Sequence, residues 1–72
     1  MNKLYLLEWF LTLEDQKNKR MFSDLDVAEQ KYQDLKQSIR HGWLSLTELV
    51  ESDMEEGFEK GETLHYNDIS RL

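Results

Sequence analysis

The 72-residue chain carries 15 acidic and 9 basic side chains, a net charge of -6, with no Cys, no Pro and 3 Gly. The missing cysteines exclude a disulfide framework and a thiolate metal site, and no apolar run approaches the roughly 18 residues of a membrane span. The length suits a single small domain over residues 1–72, and a pI near 4.7 argues against direct binding to a nucleic-acid backbone, which needs clustered Lys and Arg.

Residues 4–13 form the first predicted element. The odd positions Tyr5, Leu7, Trp9, Leu11 and Leu13 are all apolar, while Leu4, Leu6, Glu8, Phe10 and Thr12 are mixed. One dry face and one half-wet face predict a strand. Glu8, Glu14 and Asp15 also set this segment apart from a signal peptide, and a cytoplasmic location is expected. The polar run of residues 14–20 reads as a turn, since Asn18 tolerates a left-handed backbone. Met21 and Phe22 then make a short returning strand and close a hairpin.

An amphipathic helix is predicted over about residues 24–41. Leu25, Ala28, Tyr32, Leu35 and Ile39 step by three and four, which lines one helix face. Ser23 is the expected N-cap, with Asp26 three residues on, and Asp24 and Asp26 suit the positive end of the helix dipole. Arg40 and His41 fall in the last turn, and Gly42 is the expected stop.

Residues 43–51 fit two patterns. A strand places Leu44, Leu46 and Val50 on one face and Trp43, Thr47 and Leu49 on the other. A helix capped by Ser45 and Glu48 would run over residues 45–58. The strand is preferred, because a strand after the helix lets that helix cover a sheet. An acidic loop follows over about residues 51–62, marked by Gly57 and Gly61. Residues 63–69 alternate weakly, with Leu64 and Tyr66 on one face, and return as a last strand. The expected fold is α+β: an antiparallel sheet of three or four strands, in ββαβ or ββαββ order, with one helix on one face. A mostly helical domain is the alternative.

Charge is uneven along the chain. Residues 48–62 hold seven carboxylates (Glu48, Glu51, Asp53, Glu55, Glu56, Glu59 and Glu62) against Lys60 alone. Such a stripe can solubilise a small protein, hold a hard cation, or imitate nucleic-acid phosphates in a partner's basic groove. The calcium-loop pattern fails at its strict positions. Counted from Glu51, the first ligand is Glu rather than Asp, and the turn position is Glu56 where Gly is needed. No metal and no cofactor are therefore expected.

His65, Asp68 and Ser70 name the residue types of a nucleophilic triad, but such sets recur by chance and only geometry identifies one. Lys17, Asn18, Lys19 and Arg20 form the basic cluster, with no aromatic inside it to stack a base. No phosphate-binding Gly-rich loop is present. The aromatics Phe10, Trp9 and Trp43 are the remaining resource. One helix covers one sheet face, so the other face is either a dimer or partner surface or is covered by the C-terminal segment.

Two functions are expected from these features. The first is a small non-enzymatic interaction or accessory module of the kind a bacterium or phage encodes, homodimeric or bound to another protein. It would act through Phe10, Trp9 and Trp43. The second is an acidic nucleic-acid mimic that inhibits a DNA- or RNA-binding protein through Glu55, Glu56 and Glu59.

Overall fold

A computed structural model describes residues 3–51 and 57–71 of the chain. Strand β1 (Lys3–Leu11) leads through a single 3-10 turn, Thr12–Glu14, into β2 (Gln16–Phe22). Helix α1 (Leu25–Ser38) follows, then the long strands β3 (His41–Glu51) and β4 (Phe58–Ser70). All four strands pair antiparallel in the order β2-β1-β3-β4, and α1 packs on one face. The α+β fold is the expected one, and ββαββ is one of its two expected orders. Residues 45–51 are strand, so no second helix forms there.

The hairpin turn is tighter than the polar run suggested. Asp15 takes the left-handed backbone, at φ 47°, and its N–H donates to the Thr12 carbonyl. This leaves residues 16–22 as a strand of seven residues, where only Met21 and Phe22 were expected. A sheet edge tolerates polar side chains on both faces, so β2 shows no apolar alternation.

The helix is shorter at both ends than residues 24–41. Asp24, rather than Ser23, caps it: its carboxylate accepts from the Asp26 N–H at 2.9 Å. At the far end Ile39 turns extended and is buried, so His41 and Gly42 become the start of β3. Arg71 closes this end from beyond β4. Its guanidinium donates to the carbonyls of Gln37 and Ile39 at 3.1 and 3.3 Å, where a cation meets the negative end of the helix dipole.

Gly42 is not a helix stop but a close approach between strands. Its φ is +150°, and a Cβ built there would lie 1.8 Å from the Phe10 carbonyl oxygen. Only glycine lets β3 pair with β1 at that point.

The core lies between α1 and the sheet. Leu7 of β1, Leu44 and Leu46 of β3, Ile69 of β4, and Ala28, Tyr32 and Ile39 from the helix region bury together. Tyr5, Trp9, Leu11, Phe22 and Leu64 border this cluster. Two irregularities in the β3–β4 register, between Leu46 and Thr47 and between Thr47 and Leu49, shift β4 relative to its partner. The first puts Leu64 toward the core and Tyr66 on the opposite face, so these two do not share a face as expected. The strands also extend into the expected acidic loop: β3 reaches Glu51 and β4 starts at Phe58. Among the described residues no helix is long and apolar enough to cross a membrane.

Candidate interaction surface

The face opposite α1 is built by alternation. On β1 it takes Leu4, Leu6, Glu8 and Phe10, and register adds Lys17, Lys19 and Met21 from β2. Trp43, Ser45, Thr47 and Leu49 come from β3, with Tyr66 and Asp68 from β4 beside them. Three aromatic rings cross this face in a row. Phe10 and Trp43 lie with centroids 6.3 Å apart, and Trp43 and Tyr66 with centroids 6.4 Å apart, all nearly parallel. The row spans three adjacent strands, and Tyr66 is 56% exposed. The opposite end of the same face is closed, with Leu6 and Leu49 buried.

A carboxylate sits at the centre. Glu8 is 8% exposed, yet it lies on the face away from the core. Lys17 reaches it from β2 at 3.5 Å and Lys60 from β4 at 3.4 Å. The Lys17 ammonium also lies 5.8 Å from the Trp43 ring centroid, within cation–π range. A shallow cleft of about 390 Å³ surrounds this group, with Trp43, Tyr66, Ser45 and Thr47 in its lining. The basic cluster carries no aromatic in its own segment, but the fold supplies Phe10 and Trp43 from the neighbouring strands. Arg20 is separated from the two lysines by alternation and lies over Phe22 on the helix side, 5.6 Å from the ring centroid.

The expected partner-binding residues divide. Phe10 and Trp43 come together on the open face. Trp9 belongs to the other face, where it packs at the edge of the core and lines a cleft with Leu35 and Ile39. Its odd position in β1 puts it under the helix side. Glu55 and Glu56 lie outside the described residues. Glu59 is exposed on β4, in register with Val50. Tyr66, Lys17, Lys60 and Glu8 were not singled out as partner-binding residues. Tyr66 is expected from the sequence on the same face as Leu64, and Glu8 on the half-wet face of the first strand.

The triad residue types do not assemble. His65 lies on the helix side, with its ring centroid 5.1 Å from that of Tyr32 and its Nε2 3.6 Å from Glu29. Asp68 lies on the open face in register with Trp43. Tyr32 is buried and donates to Asn67 Oδ1 at 2.6 Å. Burial raises its phenol pKa above the ordinary value of 10.0, so the hydroxyl keeps its proton and remains a donor. Among the described residues no group of three or more His, Asp or Glu could hold a metal ion.

Comparison of the chain with protein-family models, curated proteins and solved structures finds no match.

Proposed function

We propose that this chain is a non-enzymatic protein-interaction module that binds through its open sheet face. The observation carrying this reading is the row Phe10, Trp43 and Tyr66, set across three strands on the face that α1 leaves uncovered. Aromatic side chains are enriched at protein interfaces and dominate their energetics. Lys17, Lys19 and Asp68 flank it with the polar rim that such interfaces carry. A small accessory protein working inside the cell is the biological role that fits this reading.

A photo-crosslinking amino acid at Tyr66 tests the proposal, with one at Val27 on the outer face of α1 as control. The expected result is a defined protein adduct from position 66, lost on Phe10→Ser or Trp43→Ser, and none from position 27. Adducts that ignore both substitutions would overturn the reading. So would tight binding of a single-stranded oligonucleotide that quenches Trp43, since aromatic rows flanked by lysines can also stack bases.

A further inference from the structure

We infer that the open face is self-complementary and that its occupant is a second copy of this chain, related by a twofold axis parallel to the strands between β1 and β3. The inference rests on the interaction role proposed for that face, and strand register carries it. Read from β2 to β4, one row across the face is Lys17, Phe10, Trp43, Asp68. The next is Lys19, Glu8, Ser45, Tyr66. Each row is basic at the β2 edge, and the first is acidic at the β4 edge.

A twofold axis along the strands turns each row end for end onto its copy. Lys17 then faces the partner's Asp68, and Phe10 faces the partner's Trp43. In the second row Lys19 faces the partner's Tyr66, and Glu8 faces the partner's Ser45. An isologous interface repeats every contact, so each of these pairings occurs twice. None sets like charges together. An axis perpendicular to the strands would instead lay β2 over the partner's β2, lysine against lysine, which is costly.

Net charge points the same way. Register and alternation give the open face three lysines, Lys17, Lys19 and Lys60, and three carboxylates, Glu8, Glu51 and Asp68. These six charges cancel, on a chain of net charge -6. Two copies that repel elsewhere meet here without net repulsion, and the remaining field is screened beyond about 8 Å at physiological salt. Sheets stack about 10 Å apart, which brings the two aromatic rows into contact. Leu6, Glu8, Ser45, Thr47 and Leu49 of this face are already buried in the single chain, so the dimer belongs to the weak class that buries less than about 1,200 Å² in total.

Sedimentation equilibrium at physiological salt, over about 5 to 500 µM protein, reads this association directly. The wild type is expected to show a monomer–dimer equilibrium. Asp68→Lys and Lys17→Glu should each weaken it at least about tenfold. An equimolar mixture of the two variants should recover it, because both contacts between positions 17 and 68 in the mixed dimer again join opposite charges. Circular dichroism confirms that each variant is folded. If Lys17→Glu, which places a carboxylate beside Glu8, fails to fold, Asp68→Lys alone carries the test. A wild type that stays monomeric throughout, a dimer that Asp68→Lys leaves intact, or a mixture of folded variants that stays monomeric would overturn the inference. A monomeric wild type that still crosslinks a different protein through Tyr66 overturns the second copy and leaves the interaction role standing.

Discussion

The Lys60 ammonium lies 3.4 Å from Oε1 of Glu8, although β4 and β1 are not neighbours in the sheet. Between them runs β3, with Ser45 and Thr47 lining the same cleft as both charged groups. Small side chains at these positions leave the lysine room to cross. With Lys17 arriving from β2, one carboxylate ties strands on both sides of β1.

This arrangement separates two substitutions of Glu8. Glu8→Ala removes the shared acceptor and leaves a gap under two lysine stems, and should cost about 1–2 kcal/mol in urea unfolding. Glu8→Leu fills the gap, and both lysines are more than half exposed and can return to water. Its stability should stay within about 1 kcal/mol of wild type, as replacing a buried ion by an apolar residue of similar size often does. A Glu8→Leu loss as large as that of Glu8→Ala would contradict this account.

The Tyr32–Asn67 hydrogen bond ties α1 to β4 at the border of the core. Tyr32→Phe leaves the Asn67 oxygen without its donor and should lower stability by about 1–2 kcal/mol. Alkaline pH tests the same group. The folded phenol has a raised pKa, so its contribution is complete below the unfolded value of 10.0 and is lost as pH rises through the folded value. Thermal melts at rising alkaline pH should therefore fall faster for the wild type than for Tyr32→Phe. Parallel curves for the two proteins would rule the effect out.

Two glycines with positive φ offer a contrast. At Gly42 an added Cβ meets the Phe10 carbonyl, and at Gly57 it meets nothing within 4 Å. Gly57→Ala should cost only the backbone strain, about 1–2 kcal/mol. Gly42→Ala must also push β3 away from β1, and its loss should exceed about 3 kcal/mol, enough to leave much of a small domain unfolded. Denaturation midpoints measured side by side decide the order.

Asp24 supplies the cap of α1. Asp24→Ala should cost about 1 kcal/mol, whereas Asp24→Ser should retain most of the stability. Ser23→Ala, one residue earlier, should change little. A reversed order in chemical denaturation would place the cap at Ser23.

Much of the fold could be read from the residues. The helix showed itself because Leu25, Ala28, Tyr32 and Leu35 repeat at a single period, and β1 because its odd positions are unbroken. The preference for a strand at residues 43–51 followed from needing a partner for the helix. What stayed hidden had physical causes. Gln16 to Arg20 is polar because an edge strand buries little, so it looked like a turn. The register shift near Leu64 exchanges faces without any local residue signal. Gly42 looked like a helix stop, because its real constraint is the Phe10 backbone, 32 residues earlier in the chain. The site was half legible: Phe10 and Trp43 stood out as large aromatics. Their neighbours Lys17, Lys60 and Glu8 come from three strands and meet only in the folded sheet.

The pairing of β1 with β3 also shapes how the chain reaches this structure. Lys3 pairs with Val50 and Leu11 with Gly42, across the whole hairpin and helix. During synthesis β1 can find β2 early, but its second edge stays bare until β3 leaves the ribosome. In that interval Leu7 and Trp9 have only α1 to shelter them, a half-sheet of the kind that chaperones hold and that aggregates when crowded. Closing so distant a pairing costs loop entropy before it is rewarded, which slows folding relative to a helical bundle of the same length.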